Sequence, residues 1–129
     1  MARRKSPTLT EAELKLMHVV WEKAPATAAD VLDALPKSPP TAYSTVVTTL
    51  RILEEKGYLR HTKEGRAFVY HPVVDRSEAS RNAVKHLIER FFNDSPELLV
   101  LNLLKNEQID AEELKRLRKL IEESEARQS

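Results

Sequence analysis

Leu14, Met17, His18 and Trp21 recur at the three-to-four-residue spacing of a helix, and Leu16, Val19 and Val20 widen the apolar face. The pattern predicts a first helix that is mostly buried. Thr10 and Glu13 stand three apart as a capping box, Leu9 and Leu14 as a hydrophobic staple, and Pro25 ends the run. A second cap at Thr27, with Asp30 three residues on, opens a short helix striped by Val31, Leu32 and Leu35. Lys37-Ser38-Pro39-Pro40 is a break, since each proline disfavours helix in its predecessor and lacks a backbone donor. A third helix is predicted from about Thr41 to Lys56, with Gly57 as its left-handed C-terminal cap.

The period then changes. Tyr58–Thr62 and Arg66–His71 are β-prone runs around a Lys63-Glu64-Gly65 loop, and Pro72 closes the hairpin. From Asp75 the spacing is helical again: Ala83, Val84, Leu87, Ile88 and Phe91 on a fourth helix, Ser95-Pro96 opening a fifth through Leu98–Leu104, and Asp110 with Glu113 capping a sixth. The tail after about Glu123 is expected to fray. Helix, helix, helix, hairpin is the winged-helix order. The predicted fold is mainly α with a small β-hairpin: a winged helix-turn-helix over residues 1–74 and a C-terminal helical dimerisation segment over residues 75–129.

The third helix has two faces. Val46, Thr49, Leu50 and Leu53 are placed to pack on Met17, Trp21 and Leu32, whereas Tyr43, Ser44, Val47, Thr48 and Arg51 lie opposite. Hydroxylated and β-branched residues are poor helix formers, and solvated faces prefer Glu, Lys and Gln, so this composition suits a major-groove reader better than a plain surface. Hydroxyls can bond phosphate or base edges, the Val47 methyls can meet a thymine methyl, and Arg51 can reach phosphate or guanine. Thr41 is assigned to the same contact surface. Lys63 and Arg66 near the hairpin tip suit phosphate contacts, although basic tips also serve solubility. Arg3, Arg4 and Lys5 could form a basic arm.

Charge alone argues little, because 21 Lys/Arg against 20 Asp/Glu leave a net charge of +1, and residues 1–75 carry 11 bases against 9 acids. The absence of cysteine excludes disulfides, thiolate metal sites and thiol nucleophiles, and fits a reducing, cytoplasmic setting. No apolar run approaches a membrane span or a secretory h-region, so no membrane insertion is expected. His18, His61, His71 and His86 lack metal-ligand spacing, with His18 placed on the buried stripe of the first helix. Ser44 and Thr48 have no neighbouring base, and neither of the two glycines sits in a phosphate loop, so neither metal, cofactor nor enzymatic activity is expected.

Thr41-Ala42-Tyr43-Ser44-Thr45-Val46-Val47-Thr48-Thr49-Leu50 followed by Leu53-Glu54-Glu55-Lys56-Gly57-Tyr58-Leu59 resembles the recognition helix of the penicillinase-repressor (BlaI/MecI/CopY-type) family. Leu9 to Leu14, Val20-Trp21, Gly65-Arg66, Tyr70-His71-Pro72, Leu99 to Leu104 and Glu113 to Leu117 follow the same pattern in order, so the similarity covers nearly the whole chain. It implies a homodimeric repressor of inverted repeats in double-stranded DNA. It also implies, for the antibiotic-resistance members, a protease linked to a membrane sensor, with cleavage after an asparagine followed by phenylalanine. Asn102 matches that asparagine, but Leu103 stands in place of the aromatic residue, a departure that favours reading Asn102 as an ordinary polar position on an apolar helix. The copper-responsive branch binds metal through cysteines, which this chain lacks. The predicted dimer contact comprises Leu99, Val100, Leu101, Leu103, Leu104, Leu114, Leu117 and Ile121, more apolar surface than one short subunit can hide. The alternatives are a winged-helix module that docks a protein, or a regulator responsive to a small molecule.

Overall fold

A computed structural model describes residues 8–106 and 109–128; the predicted basic arm of Arg3, Arg4 and Lys5 lies outside them. Among the described residues six helices and one hairpin follow in order: α1 (Glu11–Lys23), α2 (Ala28–Ala34), α3 (Tyr43–Glu55), β1 (Leu59–Glu64), β2 (Ala67–Pro72), α4 (Arg76–Phe91), α5 (Pro96–Asn106) and α6 (Ala111–Gln128). They form two compact units, the first running to Leu87 and the second beginning at Ile88.

Local chemistry sets the element ends of the first unit. Thr10 Oγ1 accepts from the Glu13 amide at 3.2 Å while Glu13 Oε1 accepts from the Thr10 amide at 2.9 Å, so two donors that a helix start leaves unpaired are satisfied together. Thr27 and Asp30 repeat the arrangement on α2 at 3.1 and 3.0 Å. α3 ends in a Schellman motif. The Tyr58 amide donates to Leu53 O and the Gly57 amide to Glu54 O, both at 3.0 Å, with Gly57 at φ +88° where a side chain would be strained. Leu53 and Tyr58, the positions whose apolar side chains commonly accompany this motif, are both buried in the core.

These ends aim three helices at one core, made of Leu16, Met17 and Val20 from α1, Val31 from α2, and Val46, Leu50 and Leu53 from α3. Tyr58, just before the hairpin, and Leu59 and Tyr70 within it close the core. Ala26 bridges Tyr70 through reciprocal backbone bonds of 3.2 and 2.7 Å, which ties the hairpin base to the segment between α1 and α2. Trp21 is only half-buried, and its indole Nε1 donates to Val74 O at 3.0 Å. The Arg76 guanidinium lies 5.3 Å from the Trp21 ring centroid. The buried face of α1 is Glu13, Leu16, Met17 and Val20, so His18 is exposed, in a T-shaped arrangement with the Trp21 ring, contrary to the sequence expectation. A residue beside Met17 is rotated by about 100° on the helix, enough to leave the core.

Two sequence boundaries shift. Strand pairing runs from Leu59↔Pro72 to Glu64↔Ala67, leaving a two-residue turn at Gly65-Arg66 in place of the expected Lys63-Glu64-Gly65 loop. Gly65, at φ +63°, occupies the first turn position, as a tight hairpin requires. The unit boundary falls inside α4, not at residues 74–75. Asp75 caps α4 by accepting from the Glu78 amide at 2.8 Å, and Ala79 is buried in the first core, so the opening turns of α4 belong to the first unit.

In the second unit, Asn93 and Asp94 take left-handed φ of 53° and 63°, and the Asp94 amide donates to Ile88 O at 3.2 Å, terminating α4. Ser95 caps α5, and Asp110 with Glu113 forms the capping box of α6. α6 continues to Gln128, beyond the fraying expected near Glu123. No residue of α5 or α6 is buried.

Candidate nucleic-acid interface

α3 starts at Tyr43, two residues later than its sequence suggests, because the Ala42 carbonyl accepts the first helical bonds from the Thr45 and Val46 amides. Thr41 is therefore half-buried ahead of the helix. The inward face is as expected: Val46, Thr49, Leu50 and Leu53 are buried, and the Thr49 hydroxyl is satisfied by donation to Thr45 O at 2.8 Å.

The outward residues separate into two rows. Ser44, Thr48 and Arg51 are exposed, and Thr45, which sequence reasoning omitted, is exposed beside them. Tyr43 and Val47 instead line a cleft against the hairpin, together with Arg66, Ala67, Phe68 and Tyr70 and the first turn of α2. Val47 is half-buried and packs on the core, so it is not the freely outward methyl that was expected. The Tyr70 hydroxyl is pushed above its ordinary value by burial and by the Glu54 carboxylate, with Arg51 acting in the opposite direction.

One of the two exposed aromatics on this surface, Phe68, was missed by the sequence reading. Tyr43 was assigned there for its position only, yet it is 54% exposed, and Phe68, unassigned, is 45% exposed. The period-2 pattern could have found Phe68, since Phe68, Tyr70, His61 and Lys63 share one face of the ladder. Arg66 sits in the hairpin turn and Lys63 pairs with Phe68 in the strands, so both cations flank the tip as expected. The assembled surface offers hydroxyls, apolar edges and three exposed cations, the functional groups that recognise phosphates and base edges.

At the far end of α3 lies an ion pair that sequence periodicity did not reveal. Lys56, just past α3, donates to Glu13 Oε1 at 2.7 Å and to Thr8 O at 3.3 Å, with side-chain exposures of only 11% for Lys56 and 7% for Glu13. Burial raises the Glu13 carboxyl, but hydrogen bonds from Lys56 and the Thr10 amide and the nearby ammonium charge outweigh it and hold the group below its ordinary value. The capping group of α1 is thereby also the anchor for the end of α3.

Among the described residues no cluster of His, Asp and Glu could hold a metal ion, and no helix is long and apolar enough to cross a membrane. In the second unit, Val100, Leu103 and Leu104 of α5 line a groove with Ile109, Leu114, Leu117 and Ile121. Of the eight positions expected at a dimer contact, Leu99 is half-buried and the other seven are exposed. Asn102 is exposed in the middle of α5, with its carbonyl accepting from the Asn106 side chain at 3.2 Å.

Three helices, a two-stranded hairpin packed on the same core, and an exposed polar face on the third helix define a winged-helix protein. The model of the penicillinase repressor family matches residues 9–123, and the chain belongs to that family. The penicillinase repressor of Bacillus licheniformis is 36% identical over 120 residues, which cover 93% of this chain and 94% of the relative. The methicillin resistance regulatory protein MecI of Staphylococcus aureus is 24% identical over 117 residues, covering 91% and 95%. Among solved structures, the DNA-binding domain of the repressor BlaI aligns with a TM-score of 0.51 at 38% identity, over 59% of this chain and 93% of that one.

Proposed function

We infer that this chain is a DNA-binding transcriptional repressor, not an enzyme, acting in the cytoplasm as a homodimer on inverted-repeat operators. The observation that carries DNA binding is the exposed Ser44, Thr48 and Arg51 row of α3 beside a hairpin tip bearing Lys63 and Arg66, in a family of repressors. Helix in the major groove and hairpin on the flanking backbone is the docking that this pairing supports. Thr41, Tyr43 and Val47 would bound the contact on its hairpin side.

Dimerisation is supported by the unpartnered leucines of the second unit. Leu101, Leu103, Leu104, Leu114, Leu117 and Ile121 are each 40–58% exposed in the isolated chain, an apolar surface that solution monomers rarely keep. A two-fold contact hides such surface on both copies at once, and tethering two readers raises affinity without a new contact. Switch-off by a protease linked to a membrane sensor fits the same region: a cut between Asn102 and Leu103 would split α5 and detach α6.

A gel shift on an inverted repeat, selected from random duplexes by the purified protein, tests the reading. Binding must weaken steeply as salt rises, because neutralised phosphates regain their counterions. Failure to retain any duplex at low salt, with the fold intact, refutes it.

A further inference from the structure

The hairpin has a second attachment, to α3, on the strand opposite the Ala26 bridge and at the same register position, since His61 pairs with Tyr70. His61, in the middle of β1, brings Nδ1 to 2.7 and 2.8 Å from the two carboxylate oxygens of Glu54, on the last turn of α3. With oxygens alone as partners, Nδ1 carries the hydrogen and donates it across both, which either charge state of the ring allows. The other side of the imidazole is held by Phe68, whose ring stacks on it at a centroid distance of 4.2 Å and an interplanar angle of 15°. Tyr70 leans on the same ring at 5.9 Å. His61 is thus clamped between an acceptor fixed on the helix and an aromatic fixed on the opposite strand.

We propose that Glu54 and His61 are positioning residues for DNA binding: their bond, backed by the Phe68 stack, fixes the hairpin's tilt against α3 and so sets where Arg66 meets the duplex. The inference rests on the DNA-binding reading given above. A two-stranded hairpin is marginally stable by itself; Leu59 secures the base of this one, the Ala26 bridge holds β2 at Tyr70, and the Glu54 bond holds β1 at the paired position, His61. From His61 to the turn the strand extends about 14 Å, so a tilt of about 20° at the clamp would carry the tip about 5 Å. Hydrogen bonds tolerate only a few tenths of an ångström, so a displacement of that size separates Arg66 from any phosphate that α3 docking has positioned. Neither Glu54 nor His61 needs to touch DNA.

A double-mutant cycle tests this in the full chain, using a duplex selected by the wild-type protein and fluorescence anisotropy as the readout. Arg66→Ala should weaken wild-type binding about tenfold, as loss of a charged contact does. In the Glu54→Ala background the same substitution should cost less than about threefold, because the tip is already misplaced. Glu54→Gln, which keeps an acceptor for Nδ1–H, should restore the full Arg66 effect. His61→Phe, which keeps a ring against Phe68 and removes the bond, should behave like Glu54→Ala. It provides the second arm of the test should Glu54→Ala melt early. An Arg66→Ala loss of equal size in all backgrounds, including no loss in any, overturns the clamp and leaves DNA binding standing. Absence of wild-type binding to every duplex overturns both.

Discussion

Replacing Lys56 by methionine would leave the Glu13 carboxylate buried at 7% exposure, with its Thr10 hydrogen bonds but without its counter-ion. Breaking a buried pair by removing one member is costly, because the remaining charge has lost both water and its counter-ion. The low end of the usual range, roughly 3 kcal/mol, is appropriate since both side chains keep a little exposure. For a unit of this size that is a fall in Tm of roughly 12 °C or more. Trp21, the single tryptophan, lies in the first unit with its indole bonded to Val74 O, so its fluorescence during thermal unfolding reports this unit. Glu13→Gln combined with Lys56→Met should recover most of the loss, because Gln preserves the capping box and no charge is left behind. The pH dependence has a definite sign. Glu13 in the folded protein lies below its ordinary value of 4.5, so its contribution is complete above that value and is lost as pH falls through the folded one. In Lys56→Met both lowering contributions of the ammonium are gone, so the stability lost on acidification should be smaller than in the wild type. A Lys56→Met loss below about 1 kcal/mol would equate the pair with a surface ion pair and refute the reasoning.

Thr48→Asp should abolish specific binding without changing the melting of Trp21 fluorescence, since Thr48 is exposed and the new charge faces phosphates; unchanged operator affinity would dismiss α3 as the reader. Val47→Asp should abolish binding and also lower Tm, because Val47 packs on the core. Arg66→Ala should weaken operator and random DNA alike and reduce the slope of log affinity against log salt by about 1; relaxation at a single base position would make it a base reader. Truncation after Asn102 should give a monomer whose first unit remains folded around Met17, Leu50 and Leu53, and sedimentation showing a dimer at micromolar concentration would locate the interface elsewhere.

What was legible in the sequence was local. Thr10 with Glu13, Thr27 with Asp30, Asp110 with Glu113 and the glycine after α3 are short-range devices, and each marks a helix end in the structure. The inward row Val46, Thr49, Leu50 and Leu53 was legible because periodicity encodes it directly. Contacts distant in sequence were not. Glu13 and Lys56 are 43 residues apart, and a capping glutamate carries no sign that it is also buried. The outward row of α3 was divided incorrectly at Val47, since the hairpin that covers it is placed by tertiary packing alone. The boundary between units was set too early because Ala79, a small residue beside polar neighbours, gives no amphipathic signal that α4 begins in the first core.

The two strands of the hairpin match residue for residue over six pairs and end in a turn of the minimum length, so the length of the wing is a separable parameter of the molecule. Adding one residue to each strand would turn every distal side chain to the opposite face. Adding two would preserve facing and advance Arg66 by about 7 Å, the axial rise of about two base pairs. The footprint of such a protein on DNA can therefore change only in discrete steps at the wing, while the register of α3 stays where it is.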